Sequence, residues 1–218
     1  MRALFTLLLL SIGLVSLAQQ TAVDPDLLEI KQRLDSIGAF SADMSLEVAV
    51  NFINMPKKTG TLMYRKGAPV KIKTDDFMLV PKGGLDFTLE QLFKYPFITV
   101  PRGSEIRNGD SLKVINVIPT SDKADFSIAE LTLNITKRRI VQSKISTVRD
   151  GSYDVLFSYT DATSLLPRQI KIEFEVERIR IPLSFLGQDV KVDRKLKRSE
   201  ELKKGSIILE LSAYRTSL

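Results

Sequence analysis

The sequence predicts a mainly antiparallel-β protein whose sheet curls into an incomplete barrel with covering helices. Three observations lead there. Apolar and polar residues alternate with a period of two through most of the chain. Asn108-Gly109 and Asp150-Gly151 suit the positive-φ positions of tight hairpin turns. Only two stretches carry helical spacing.

The first helix is expected just after the N-terminal segment. Asp24 is its N-cap, Pro25 occupies the first helical position, and Leu27, Ile30, Leu34 and Ile37 form a one-sided stripe that Gly38 closes. From Ala42 to Phe52 the even positions Met44, Leu46, Val48, Val50 and Phe52 are apolar, while Asp43, Ser45, Glu47 and Asn51 are polar, as in a half-buried strand. A turn at Met55-Pro56-Lys57-Lys58 leads into a strand from Thr59 to Arg65. Val70 to Thr74 and Phe77 to Val80 are shorter strands, and Thr88 to Lys94 reads as the second helix, ended by Pro96.

Further on, Asn108-Gly109 joins Ser104–Arg107 to Ser111–Ile118, and Asp150-Gly151 joins Ile140–Val148 to Ser152–Tyr159. Leu131, Leu133 and Ile135 alternate before a turn at Lys137-Arg138. Ile170, Ile172, Phe174 and Val176 follow, and Ile207, Leu209, Leu211 and Ala213 make the last strand. Roughly ten strands at about 4.8 Å spacing give a flat sheet about 48 Å wide, and helices about 10–12 Å across cannot cover it. Wet apolar surface costs about 25 cal/mol per Å², so the sheet must curl, stack or keep a partly open cavity. Covering helices sit most easily over a curled, incomplete barrel.

The N-terminus has the form of an export signal. Arg2 is the basic region, Ala3 to Val15 the apolar region, and Ser16-Leu17-Ala18 the cleavage site, so residues 1–18 are expected to be removed and 19–218 to form a single domain. A membrane span needs about 20 apolar residues, and Gln19-Gln20-Thr21 closes this stretch sooner. The chain has no cysteine, so the lipid attachment that a bacterial lipoprotein carries after its signal is excluded, as is a disulfide framework. An exported protein without disulfides points to a bacterial periplasm.

Histidine and tryptophan are absent too. Ser-His-Asp and Cys-His catalytic arrangements and the usual zinc sites are therefore excluded. No S-x-x-K, G-x-S-x-G, G-x-x-x-x-G-K or G-x-G-x-x-G motif occurs. Asp75-Asp76 and Glu200-Glu201 are carboxylate pairs beside a turn or in a polar run and read as solvated surface. No catalytic residue, metal ligand or cofactor is assigned, and the chain is expected not to be an enzyme. The net charge of +6 is mild, and no nucleic-acid motif accompanies it. The basic run from Lys191 to Lys204 reads as a solvated loop or short surface helix, with a surface for anionic phospholipid or an acidic partner as the alternative. Asn134-Ile135-Thr136 matches a glycosylation acceptor but carries no meaning in a bacterium.

Three segments, Asn51–Pro56, Gly60–Lys66 and Phe77–Leu85, resemble the outer-membrane lipoprotein-sorting proteins of Gram-negative bacteria, which are similar to the periplasmic lipoprotein carrier LolA. Leu165-Leu166-Pro167-Arg168-Gln169-Ile170, leading into Phe174-Glu175-Val176, fits the same pattern. The resemblance covers Ile30 to Val176. It implies an unclosed half β-barrel with a helical lid, whose cavity takes the acyl chains of a lipoprotein from the inner membrane to the outer membrane. Burial of each methylene is worth about 0.8 kcal/mol, so a chain of about 14 methylenes needs shielding to cross water. On this reading Leu46, Val48, Val50, Phe52, Leu62, Tyr64, Phe77 and Leu79 line the cavity, with Leu92 and Phe93 on the lid.

The carriers place a basic residue directly before a proline on the second strand, where an arginine holds the lid. Here Gly67-Ala68 separates Arg65-Lys66 from Pro69, and the gate is carried over to Arg65 or Lys66. The implied ligands are lipoprotein acyl chains or another lipid. The implied partners are an inner-membrane lipoprotein-release transporter and an outer-membrane acceptor, with no nucleic acid and a monomeric state. Two alternatives stay open: a module of the same fold that senses or binds envelope lipid or lipoprotein without transport, and a structural β-domain with a filled core.

Overall fold

In the computed structural model, the described residues are 23–50, 52–68, 70–74, 92–149, 151–176, 190–193 and 203–217. The export signal, the Phe77–Val80 strand, most of the Thr88–Lys94 helix, Asp75-Asp76, Glu200-Glu201 and much of the basic run lie outside them. So do the cavity candidates Phe77 and Leu79.

Helix α1 spans Pro25–Asp35. Asp24 caps it, its carboxylate accepting from the amides of Asp26 and Leu27 at 3.1 and 3.4 Å. The Ile37 amide donates to the Leu34 carbonyl at 3.0 Å and tightens the exit, so the helix ends before Ile37 and Gly38 rather than at Gly38. The chain enters the sheet at once, because Ala39 already pairs with both Arg65 and Ser217.

The strands are β1 (Ala39–Val50), β2 (Ile53–Asn54), β3 (Lys58–Arg65), β4 (Lys71–Lys73), β5 (Phe97–Arg107), β6 (Asp110–Pro119), β7 (Phe126–Asn134), β8 (Arg139–Thr147), β9 (Gly151–Ser158), β10 (Gln169–Val176), β11 (Lys191–Val192) and β12 (Lys203–Ser217). Among the described residues all pairings are antiparallel, in the order β11-β2-β1-β12-β10-β9-β8-β7-β6-β5, with β3 and β4 branching from β1. The sheet does not close into a barrel, and the fold class is the curled half-barrel with a covering helix.

Asn108 and Gly109 adopt φ of 53° and 81°, the conformation a two-residue turn between β5 and β6 demands. The β5 strand is longer than Ser104–Arg107 and begins at Phe97, and β1 begins three residues before Ala42. Phe52 follows β1 in a turn and is still buried. At Gly205, between Val50 of β1 and Phe174 of β10, a Cβ would meet both side chains at 2.8 Å, so this crossing of three strands requires glycine.

Two apolar clusters result. One gathers Leu27 and Ile30 of α1 against Ile115, Val117, Leu131 and Leu133 of β6 and β7, with Leu92 beside them. The other joins Met44, Leu46 and Val50 of β1 to Phe52, Leu62, Leu209 and Leu211. The side chain of Asn134 is buried and donates to Asp110 at 2.8 Å, which closes the glycosylation-like tripeptide to modification.

Candidate functional site

Between α1 and the concave face lies a cavity of about 540 Å³. That size falls in the roughly 300–1,000 Å³ range of small-molecule sites. Its walls come from elements far apart in sequence: Ile30 and Leu34 of α1, Leu62 and Tyr64 of β3, Leu131 of β7, Ile140 of β8, Val155 and Phe157 of β9, Ile170 and Ile172 of β10, and Leu209 and Leu211 of β12. The lining is overwhelmingly apolar because each strand turns its hydrophobic parity towards α1.

Helix α1 is fixed across this space at both ends. At its N-terminus the Asp24 amide donates to Thr99 Oγ1 at 2.8 Å, and Lys113 of β6 lies 2.7 Å from Asp24 and 2.6 Å from Asp26. Partial burial works against the Lys113 charge, but the two carboxylates outweigh it and raise its pKa. Negative side chains also suit the positive end of the helix dipole. At the other end Arg33 donates to the Lys137 carbonyl at 2.9 Å, Arg138 pairs with Glu29 at 3.1 Å, and Lys66 donates to the Asp35 carbonyl at 2.9 Å.

The sequence-derived site residues divide by place. Leu62, Tyr64, Leu92 and Phe93 stand on the cavity wall, and Lys66 stands at its rim. Leu46, Val50 and Phe52 are buried in the second cluster, with Val48 packed against it, and none of these four is among the described lining residues. Arg65 is exposed at the end of β3, next to Lys66. The α1 side chains and the β8–β12 wall were not singled out from the sequence as cavity residues. Their alternation was visible, but not that β12 inserts between β1 and β10 and brings Leu209 and Leu211 round to complete the enclosure.

Polar groups gather where β8 begins. The Arg139 guanidinium lies 4.1 Å from the Tyr159 ring centre, and one terminal nitrogen donates to the carbonyls of Asp161 and Ser164 at 2.7 and 3.4 Å. That loop braces itself: the Asp161 carboxylate accepts from Thr163 and Ser164 at 2.8 Å, and these hydrogen bonds lower its pKa to about 2. Tyr159 donates to the Ile140 carbonyl at 2.7 Å, and burial pushes its hydroxyl up to about 12 against the weaker, opposite pull of Arg139. Tyr214 donates to the Pro167 carbonyl at 2.6 Å, and its pKa too is raised by burial. Among the described residues no group of three or more carboxylates forms a metal site, and no helix is long and apolar enough to cross a membrane.

No protein-family model matches the sequence, and no curated protein matches it. Solved structures do. A domain from Vibrio parahaemolyticus, named for outer membrane lipoprotein sorting, superposes with a TM-score of 0.50 at 10% identity, covering 88% of this chain and 91% of that one. A LolA superfamily protein from Nitrosomonas europaea gives 0.49 at 10% identity over 88% and 93% of the two chains. A DUF1329 family protein from Desulfovibrio piger gives 0.44 at 10% identity over 90% and 95%. The chain has a LolA-like fold.

Proposed function

We propose that this protein is an exported carrier, processed after Ala18, that holds lipoprotein acyl chains in its cavity and moves them through the periplasm from the inner to the outer membrane. The observation that carries this reading is the apolar cavity of about 540 Å³ held open between α1 and the sheet. A packed structural domain would fill that space, since interiors ordinarily leave few voids larger than a water molecule. An acyl chain supplies apolar area without directional bonding, which matches a wall of Leu, Ile, Val and Phe. In this reading α1 is the lid, and Lys66 is its latch through the Asp35 carbonyl. The protein performs no bond chemistry, and its partners are a donor at the inner membrane and an acceptor at the outer one.

The test is recovery of the protein from the periplasm of a Gram-negative host, followed by mass spectrometry of what co-purifies and by titration with a fluorescent fatty acid. Acylated ligand in stoichiometric amount, and saturable probe binding that the ligand displaces, are expected. A protein that is empty and binds no acyl probe overturns the reading. Binding without transfer of a lipoprotein between inner- and outer-membrane vesicles leaves a lipid-binding module and removes the carrier.

A further inference from the structure

The cavity wall is mostly apolar, its polar side chains lie largely at the rim, and two of them on β8 carry unpartnered donors. Ser143 is only 4% exposed, its hydroxyl has no hydrogen-bond partner, and it faces the cavity. Its neighbours across the ladder are Leu131 and Val155, both fully buried. At the start of the same strand Arg139 also lines the cavity, and its Nε–H is buried and unpartnered. Its direct contacts are uncharged, namely the Tyr159 ring and the carbonyls of Asp161 and Ser164, while from farther off its charge helps to lower the pKa of Asp110.

The remaining cations of the rim are engaged. Lys31 pairs with Asp35, Arg138 with Glu29, and Lys66 bonds a backbone carbonyl. Among the described residues, Arg139 alone of these four has neither a carboxylate within ion-pair distance nor a partner for every buried donor. Buried donors in folded proteins are almost always satisfied, so two unpartnered donors on residues that line one cavity are candidates to receive a ligand's acceptors.

We propose that Arg139 Nε and the Ser143 hydroxyl recognise the acyl carbonyl oxygens of the bound lipid, and so fix its head towards the start of β8 and its chains along the apolar wall. This rests on the lipid-binding reading and adds an orientation and a chemical requirement to it. The ligand must be an acyl compound, with a carboxylate or ester oxygen, rather than any apolar chain of the right length. A hydroxyl set among leucine and valine gains nothing from a methylene, whereas it donates well to a carbonyl. Guanidinium Nε–H is stronger still towards an oxygen that carries negative charge.

The experiment compares monopalmitoylglycerol with its ether analogue hexadecylglycerol, which lacks only the carbonyl, and adds palmitate as the carboxylate arm. Affinities are measured by displacement of a fluorescent probe from wild type, Arg139→Met and Ser143→Ala. Wild type should prefer ester to ether by about tenfold, the magnitude of one such hydrogen bond. The ratio should shrink by about threefold in each of Arg139→Met and Ser143→Ala, as expected when two donors share the preference. Because Arg139 also braces the loop at Asp161, its variant can lose overall affinity, but the ester-to-ether ratio within one variant is insensitive to that. Ser143→Ala removes an unpartnered hydroxyl and should melt at or above the wild-type temperature while discriminating less.

Tighter palmitate binding that Arg139→Met abolishes assigns the carboxylate as the preferred head; tighter ester binding assigns the ester carbonyl. Equal affinity for ester and ether in wild type, or discrimination kept in both variants, overturns the proposal and leaves lipid binding standing. No binding of any of the three overturns both.

Discussion

The Lys66 ammonium donates to the main-chain carbonyl of Asp35 across 2.9 Å and joins the end of β3 to the last turn of α1. A cation on a terminal helix carbonyl satisfies an orphan acceptor and complements the negative end of the dipole. The contact is exposed at the cavity rim, whereas the Asp24–Lys113 anchor at the other end is largely buried. The N-terminal anchor is therefore the more buried one, and the exposed Lys66 contact, one of three at the other end, is the latch of the lid in the proposed function.

Lys66→Met should cost only about 0.3–1 kcal/mol of stability, the usual worth of a charge at a helix end. Amide exchange at Arg33–Ser36 should quicken while exchange at Leu27 and Leu28 does not, and the dissociation rate of a bound acyl probe should rise. Hydrogen exchange and stopped-flow displacement read these two effects. Equal exchange along the helix in both proteins rules out the latch.

The strong end makes the opposite prediction. Asp24 caps the first turn through Oδ1 and receives Lys113 on Oδ2. Asp24→Ala removes both and should destabilise the protein by about 1–2 kcal/mol, at the upper end for a lost cap because Lys113 is left facing Asp26 alone. Asp24→Asn keeps an acceptor for the cap and should recover part of this. Urea unfolding of the two variants measures the difference; equal losses in both would assign the whole effect to the ion pair.

How much of this was legible beforehand depends on what each residue's signal encodes. Period-two alternation located β1, β7, β9, β10 and β12, and the Asn108-Gly109 turn was readable because its positive φ admits few residue types. Asp24 and Pro25 gave the start of α1, but Ile37 continued the apolar stripe past the true end and so masked the stop. Alternation alone cannot say whether an inward face meets packed neighbours or a cavity, which is why Leu46 and Phe52 looked the same as Leu62 and Tyr64. Arg139 and Ser143 were harder still. The register shift opposite Thr132 and Leu133 leaves Val141 as an extra residue in β8, so Ile140 and Ser143 both face inwards although they differ in parity. Strict alternation from Ile140 would have put Ser143 in solvent.

Packed core and cavity wall separate under truncation. Phe52 is 2% exposed and lies in the second cluster, so Phe52→Ala should cost roughly 3–5 kcal/mol and leave probe affinity almost unchanged. Phe157 is half-buried and lines the cavity, so Phe157→Ala should cost less stability and weaken probe binding severalfold. Thermal melts paired with fluorescent fatty-acid titrations decide it. If Phe157→Ala melts far lower and binds as wild type does, its ring is core and the cavity is not the binding site.

The Tyr159 hydroxyl, held by the Ile140 carbonyl and pushed up to about 12 by burial, gives a pH signature of the cavity rim. A raised tyrosine pKa means that folding favours the neutral form. Its contribution to stability is therefore complete below the ordinary value of 10.0 and is lost as pH rises from there through about 12. The protein has five tyrosines, and absorbance titration of tyrosinate should show a late-ionising fraction to which Tyr159 and Tyr214 belong. Tyr159→Phe should remove part of that late fraction and cost about 1 kcal/mol at neutral pH for the lost hydrogen bond. The Arg139 charge pulls the Tyr159 pKa downwards, so Arg139→Met should delay its ionisation further. An earlier ionisation in that variant would mean that losing Arg139 opens the rim to water, and that the guanidinium keeps Tyr159 buried rather than merely lying against it.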